Sequence, residues 1–110
     1  MIYLVTNQQA MFSPSGYSMA TVEESLEYLK NLDIIGFDTE TRGMDPYTKD
    51  LLSMQLGDQD KQFVIDCLTV NPRLYKEVLE SKELIMHNAK FDLRFLYYYE
   101  IVPTKFMIVF

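Results

Sequence analysis

The chain has 110 residues, of which 48% are hydrophobic and 24% are charged, and its formal net charge at pH 7 is -6. This length and composition exclude a disordered or fibrous chain and predict one globular domain, residues 1–110, around a single core. The negative charge excludes the simplest kind of nucleic-acid binder, which attracts phosphates with a basic surface, so a polyanionic partner would need cations held at the contact site.

The first predicted elements are a strand over residues 2–6 and, after a polar loop, a helix. Thr21 followed by Glu24 has the pattern of a capping box, which typically begins a helix. Apolar residues then recur at helical spacing. We expect this helix to end near Asn31.

The next predicted element is a central strand. Its first four residues, "IIGF" at 34–37, show no polar alternation, which is typical of a strand covered on both faces. Residues 51–66 contain two apolar stretches around the polar turn "DQDK" and predict a β-hairpin that pairs with the central strand. Together the three strands would form an antiparallel meander.

The remaining elements alternate between helix and strand. Pro72 is typical of a helix start, "ELIMH" predicts a short strand, and Asn88 would cap a third helix. If residues 84–87 run parallel to the central strand, both strands end at one edge of the sheet, where ligands of such sheets usually bind. The predicted fold class is therefore α/β, a mixed sheet with a three-stranded antiparallel meander, parallel strands and flanking helices.

The cysteine content and the apolar runs restrict the compartment. Cys67 is the single cysteine and cannot form an internal disulfide, and no Cys/His cluster has zinc-site spacing. The N-terminal "MIYLV" is too short for a signal peptide, and no apolar run approaches the length of a membrane span. We expect a cytoplasmic protein without a membrane partner.

Two carboxylates follow the apolar start of the central strand. Asp38 and Glu40 would point to the same face, since residues i and i+2 of a strand do so, while Thr39 points away. The two charges repel each other unless a hard divalent cation such as Mg²⁺ or Mn²⁺ binds between them. Asp92, in the first turn of the third helix, would reach the same edge. Three carboxylates from two elements could then meet.

Each of these residues also has a purely structural explanation. A D-x-E pair arises readily by chance among 16 acidic residues, and solvated acids often end a strand. Asp92 could simply complement the positive end of the helix dipole, and Asn88 could be only an N-cap. The interpretation as a chemical site therefore depends on the three carboxylates meeting.

The stretches "FDTETRGMDP" and "HNAKFDLRFL" together resemble motifs I and II of the DEDD superfamily of 3′-5′ exonucleases. They are most similar to the proofreading domain of family A DNA polymerases and to ribonuclease D. Motif I would occupy residues 36–46 and motif II residues 87–96. The resemblance implies a ribonuclease H-like fold and hydrolysis of terminal phosphodiesters of single-stranded DNA or RNA by a two-metal mechanism.

The resemblance also implies roles for individual residues. The catalytic residues, which would also bind two divalent cations, Mg²⁺ or Mn²⁺, would be Asp38, Glu40 and Asp92. The residues that contact the 3′-terminal nucleotide of the single strand would be Thr41, Met44 and Asn88.

The sequence departs from this family pattern at its end. The third motif, Y-x-x-x-D or H-x-x-x-D on a later helix, is absent, because no Tyr or His is followed four residues later by Asp. We therefore expect a C-terminally incomplete fold with little or no activity. Three explanations stay open: a truncated fragment, a chain completed by a second copy or subunit, and a degenerate relative.

A second class of function is a non-catalytic module that binds nucleic acid or another subunit. The apolar residues Phe106 to Phe110 carry no polar cap and would need something to cover them. This run would be the contact with a second copy or with a separate subunit.

Overall fold

The structure is a computed structural model that describes residues 1–8, 16–43, 45–47 and 51–109. Met44, which was expected to contact the terminal nucleotide, and Phe110 lie outside the described residues. The strands are β1 (Ile2–Val5), β2 (Ser18–Met19), β3 (Ile34–Thr41), β4 (Leu51–Gly57), β5 (Gln62–Asp66), β6 (Glu83–Met86) and β7 (Lys105–Ile108). The helices are α1 (Val22–Leu29), α2 (Lys76–Ser81), which follows a short 3₁₀ turn, and α3 (Ala89–Tyr98).

In the described residues the strands form one seven-stranded sheet in the order β2-β1-β5-β4-β3-β6-β7. Strands β3, β4 and β5 pair antiparallel, which confirms the predicted meander. Strand β6 runs parallel to β3, which confirms the shared edge, and β7 runs parallel to β6. The short strands β2 and β7 were not predicted, because each is too brief or too close to the end of the sequence to show a periodic pattern.

Helix α1 begins as the sequence predicts. The backbone N–H of Glu24 donates to Oγ1 of Thr21 at 3.0 Å, and the backbone N–H of Thr21 donates to Oε1 of Glu24 at 2.9 Å. These two bonds satisfy donors that would otherwise lack intrahelical acceptors. None of the helices in the described part of the chain is long and apolar enough to cross a membrane.

In the part of the chain that the structure describes, the three helices lie on one face of the sheet. Connections between parallel strands are right-handed, and the three crossovers that contain helices (β2 to β3, β5 to β6 and β6 to β7) advance in the same direction across the sheet, so they place the helices on the same side. The buried side chains of strands and helices meet there, and the largest of them include Ile35, Met54, Leu56, Ile65, Leu84 and Met86 from the sheet and Leu29, Leu79, Phe95 and Leu96 from the helices.

The prediction that the central strand is covered on both faces was wrong. Ile35 and Phe37 are buried, whereas Ile34 in the same strand is 47% exposed. The apolar run "IIGF" concealed this asymmetry because its outward positions are an isoleucine and a glycine rather than polar residues. The opposite face of the sheet therefore stays open in the described residues.

The apolar run near the end of the sequence forms the edge strand β7. Phe106 lies opposite Leu84 of β6, and Met107 opposite Ile85. All four residues of β7 are exposed, Met107 to 54%. The run is therefore part of the sheet, and its predicted role as a subunit contact stays a prediction.

Candidate active site at the end of strand β3

Asp38 and Glu40 lie in the last half of β3, and both are exposed on the open face of the sheet. The alternation of the strand places them on that face, as the sequence predicts. The backbone N–H of Thr39 donates to Oδ1 of Asp38 at 2.9 Å and fixes part of its orientation. Across the antiparallel pairing, Asp38 lies opposite Gln55 and Glu40 opposite Ser53.

Asp92 approaches from the other side of the sheet. Its carboxylate Oδ1 accepts a hydrogen bond of 2.6 Å from Oγ1 of Thr39, and the residue is only 1% exposed. The other oxygen, Oδ2, is buried and has no hydrogen-bond partner among the described residues. A buried carboxylate oxygen without a donor is costly, so this atom is poised to accept a proton or a cation.

The electrostatic environment of Asp92 agrees with this geometry. The pKa of Asp92 is raised to about 6, mainly by burial; the hydrogen bond from Thr39 opposes this rise, and the nearby negative charge of Asp38 adds to it. Burial has this effect because it penalises the charged form of the carboxylate. Asp38 and Asp92 are thus close enough to influence each other, although they lie on opposite faces of β3.

The three predicted ligands do not form one compact cluster in this structure. Among the His, Cys, Asp and Glu side chains of the described residues, no three are grouped closely enough to hold a metal ion. The structure instead pairs Asp92 with Thr39, the residue that was expected to point away from the site. The assignment of Asp38, Glu40 and Asp92 as joint ligands therefore stays a prediction.

The donor set nevertheless suits a hard divalent cation. All three candidate ligands are carboxylates, and oxygen ligands are those that Mg²⁺ and Mn²⁺ prefer. The unpartnered Oδ2 of Asp92 is a buried acceptor that such an ion would satisfy. The carboxylate oxygens of these residues are therefore suitable ligands for such an ion. In the described geometry, however, Asp38 and Glu40 lie on one side of β3 and Asp92 lies on the other.

Two of the predicted substrate-binding residues flank this region. Thr41 follows a register shift in the β3–β4 pairing, and its Oγ1 donates to the carbonyl of Gly43 at 2.6 Å. Asn88 is the exposed N-cap residue of α3, but its side chain makes no capping hydrogen bond. The simple N-cap explanation of Asn88 is thus not supported by its side chain.

A cavity of about 230 Å³ adjoins Asp38 on the open face. Its lining includes Gln55 and His87, which were not predicted as site residues. Gln55 could have been found from the hairpin register, which places it opposite Asp38. His87 follows β6, the strand whose end lies beside β3.

Comparison with known proteins decides the family. A family model described as 3′-5′ exonuclease matches residues 17–109. The chain belongs to this family. The match contains both stretches that resemble motifs I and II, and with them all three candidate carboxylates.

Individual relatives agree with this assignment. The chain is 29% identical over 84 residues to DNA polymerase I of Aquifex aeolicus (strain VF5), and this alignment covers 76% of the chain and 14% of the polymerase. It resembles Escherichia coli RNase D, an exoribonuclease involved in structured RNA processing, with a TM-score of 0.65 and 25% identity over 77% of this chain and 24% of that one. For Brucella melitensis NrnC with bound Mg²⁺ the TM-score is 0.64 and the identity 22%, over 97% of this chain and 49% of that one.

These similarities establish the fold class. The mixed sheet with its helices is the ribonuclease H-like α/β fold of such exonucleases. The chain spans about a quarter or less of the length of the polymerase and of RNase D. What those longer proteins do as a whole is therefore a separate question from what this exonuclease-family domain does.

Proposed function

We propose that the chain is a metal-dependent 3′-5′ exonuclease domain that acts on the 3′ ends of single-stranded DNA or RNA and is weak or inactive in the form of these 110 residues. The observation that supports this function best is the buried carboxylate of Asp92. It accepts a hydrogen bond from Thr39, the residue between Asp38 and Glu40 in the sequence, and its other oxygen has no partner among the described residues. Because the chain belongs to the 3′-5′ exonuclease family, we interpret this carboxylate as a metal ligand.

In this proposal, Asp38, Glu40 and Asp92 hold Mg²⁺ or Mn²⁺. Two such ions, when bound, supply an activated water and stabilise the departing 3′ oxygen. Thr39 orients Asp92, and burial prevents that carboxylate from turning into solvent. The structure of NrnC, which has the same fold, contains Mg²⁺ and supports the choice of ion.

The substrate end would lie beside the tip of β3. Asn88, whose amide makes no capping bond, and Thr41 would contact the terminal nucleotide together with Met44. A terminal base must leave its stack before its phosphate can enter such a site, which favours single strands. The relatives include a DNA polymerase and an exoribonuclease, so we propose both DNA and RNA as substrates.

Weak activity follows from the absent third motif. In the family pattern, that motif supplies a fourth carboxylate and a Tyr or His that orients the attacking water. These residues contain no Tyr or His followed four positions later by Asp. Loss of orientation and of one metal ligand each reduces the rate by orders of magnitude.

Calorimetric titration with Mn²⁺ tests the metal site. We expect the wild-type chain to bind Mn²⁺, and Asp38→Asn to weaken binding by about tenfold or more, which corresponds to about 1.4 kcal/mol. Asp33→Asn is the matched control, since Asp33 is an exposed aspartate just before the other end of β3 and its substitution changes the net charge equally. Equal titrations of all three proteins would contradict the proposed site.

Nuclease assays test the activity. Labelled single-stranded DNA and RNA would be incubated with Mn²⁺, with Mn²⁺ and excess chelator, and with the Asp38→Asn variant. We expect at most a slow loss of 3′ nucleotides, confined to the wild-type protein with free metal. Cleavage that persists in the variant would point to a contaminating nuclease.

The alternative is a non-catalytic module that binds nucleic acid or a subunit. It is favoured by the separation of the three carboxylates into two groups in the described residues. This module would bind labelled single strands with the same affinity with and without chelator and would leave them intact. The exonuclease proposal instead predicts that binding of the 3′ end strengthens with Mn²⁺.

A further inference from the structure

The exposed side of helix α3 carries two basic residues and two tyrosines, which we call the α3 stripe. Lys90, Arg94, Tyr97 and Tyr98 are all exposed, and they share one side of the helix because positions i, i+4, i+7 and i+8 do so. Asp92, the acidic residue of α3, is buried. The exposed side of α3 is therefore positively charged, although the net charge of the chain is -6.

The two cations of the α3 stripe are available to a partner. Neither Lys90 nor Arg94 forms an ion pair with a carboxylate of the described residues. The exposed Lys30 at the end of α1, in contrast, is paired with Glu27 at 2.7 Å. Two unpaired cations one helical turn apart suit a chain of negative charges, such as a sugar–phosphate backbone.

A tyrosine from the loop after β3 extends the α3 stripe. The ring of Tyr47 lies edge-on to that of Tyr98, with the ring centroids 5.5 Å apart and an interplanar angle of 85°. Tyr47 is 80% exposed and Tyr98 is 44% exposed, while the half-buried Tyr99 contacts Tyr98 from its other neighbour position at 5.2 Å. Exposed rings held in this way are the surface on which proteins stack the bases of single strands.

Helix α3 begins at the candidate site and leads away from it. Asn88 is its N-cap residue, and Lys90 lies in its first turn. Lys90 and Tyr98 are eight positions apart, which is about 12 Å along the helix at a rise of about 1.5 Å per residue. About three or four nucleotides of a stacked strand span this length, at about 3.4 Å each. A strand with its 3′ end beside Asn88 can therefore extend along the α3 stripe.

We propose that the α3 stripe and Tyr47 bind the nucleotides that precede the 3′ end of a single strand. Lys90 and Arg94 contact phosphates, and Tyr98 and Tyr47 stack against bases. Such contacts tolerate any sequence. The inference rests on the proposed function for the position of the 3′ end, but its residues are separate from the candidate metal ligands and from the residues proposed to contact the terminal nucleotide.

Fluorescence anisotropy with 5′-labelled oligothymidylates tests this inference. Excess chelator is present, so that no metal ion contributes to binding. Strands of about two and about eight nucleotides are compared, because only the longer strand reaches from the 3′ end to Tyr98. We expect the wild-type chain to bind the longer strand at least about tenfold more tightly.

The double variant Lys90→Gln/Arg94→Gln tests the phosphate contacts. It should bind the longer strand more weakly, and the slope of log K against log salt concentration should become shallower by about 1.4, since each phosphate contact contributes about 0.7. Lys30→Gln/Lys61→Gln is the matched control, because it removes the same charge from the end of α1 and from the turn before β5. The control should keep the wild-type slope.

Two substitutions of Tyr98 test the stacking. Tyr98→Ala should weaken binding of the longer strand about tenfold at every salt concentration, and Tyr98→Phe, which keeps the ring, should bind like the wild type. Tyr17→Ala is the control. Tyr17 is 37% exposed and precedes β2, at the opposite end of the strand order from β6 and β7, so its substitution should leave binding unchanged.

Three results would overturn the inference. They are equal affinities of the wild type for the two strand lengths, an unchanged salt slope in Lys90→Gln/Arg94→Gln, and undiminished binding by a Tyr98→Ala variant whose circular dichroism is that of the wild type. All three are measured without metal. A chain that fails to bind Mn²⁺ or to cleave contradicts the exonuclease proposal alone, whereas a metal-binding chain whose stripe variants bind normally contradicts this inference alone.

Discussion

Thr39 and Asp92 are 53 residues apart in the sequence and are joined by a hydrogen bond of 2.6 Å between Oγ1 and Oδ1. The bond ties the first turn of α3 to the end of β3. It satisfies one oxygen of a carboxylate that is otherwise shielded from water. Thr39 is therefore a positioning residue for Asp92, and the candidate site depends on it even though it was not among the predicted site residues.

We predict that Thr39→Val destabilises the chain and that Thr39→Ser does so much less. Valine has nearly the shape of threonine but leaves both oxygens of Asp92 without a donor, which costs about 1 to 3 kcal/mol. The pKa of Asp92 should rise further, since the Thr39 hydroxyl lowers it. Urea unfolding of metal-free protein at pH 7 measures the loss. Similar losses for valine and serine would mean that the methyl group, and not the hydroxyl, is important.

Ser25 and Tyr75 form a second polar pair, buried between α1 and the 3₁₀ turn. We predict that substitutions of the two residues reduce the stability of the chain by different amounts. Ser25 donates its only hydroxyl hydrogen to the carbonyl of Val22 at 2.7 Å, so the Tyr75 hydroxyl must donate to Oγ of Ser25, also at 2.7 Å. Tyr75→Phe removes one bond and should cost about 1 kcal/mol, whereas Ser25→Ala strands a buried hydroxyl and should cost about 1 to 3 kcal/mol.

Thermal or urea unfolding of both single variants and of the double variant checks this order. The double variant should be no less stable than Ser25→Ala, because removing the stranded Tyr75 hydroxyl relieves its penalty. A Tyr75→Phe variant that is clearly less stable than Ser25→Ala would contradict the assignment of the donor.

The sequence predicted those parts of the fold that local patterns encode. The Thr21–Glu24 capping box, the hairpin after the central strand and the parallel strand before Asn88 all appear in the structure. Each has a short-range signal, such as a cap, an alternation or a polar turn. The one-sided covering of β3 has no such signal, since Ile34 and Ile35 look alike in sequence but point to opposite faces.

The candidate site was predicted less completely for a related reason. Strand alternation correctly placed Asp38 and Glu40 together and predicted that Thr39 points away from them, but it did not indicate that the helices lie on the side of Thr39. Which side of β3 Asp92 approaches depends on the packing of α3, a tertiary property that spacing does not encode. Its residue type suggested that Asp92 binds a metal together with Asp38 and Glu40. In the structure, the packing of α3 instead places it against the hydroxyl of Thr39.

We predict that Asp58, in the turn between β4 and β5, makes the stability of the fold depend on pH. The backbone N–H of Lys61 holds the pKa of Asp58 below its usual range, and the hydroxyl of Tyr28 acts in the same direction. Because the folded-state pKa is lower than the unfolded one, Asp58 stabilises the fold above the unfolded pKa, and this contribution disappears as the pH falls below about 4.

Urea unfolding at pH 7, 5 and 3 of the wild type and of Asp58→Asn tests this sign. The wild type should be the more stable protein at pH 7 and 5, and the difference should shrink at pH 3. Tyr28→Phe should show a smaller difference with the same trend, since it removes only the hydroxyl donor at 2.8 Å. A difference that is constant from pH 7 to pH 3 would show that Asp58 stabilises the turn by shape rather than by charge.

Gly57 and Gly36, opposite each other in β4 and β3, should respond differently to alanine. A Cβ on Gly57 would collide with the backbone carbonyl of Lys61, which cannot move without opening the turn before β5. Gly57→Ala should therefore cost about 2 kcal/mol or more. A Cβ on Gly36 meets its nearest atom, the carbonyl oxygen of Gly57, at 3.5 Å, so Gly36→Ala should be neutral or stabilise the chain by up to about 1 kcal/mol. The midpoints of urea unfolding at constant m-value measure both effects, and equal costs at the two positions would mean that the open face, rather than the turn, requires glycine.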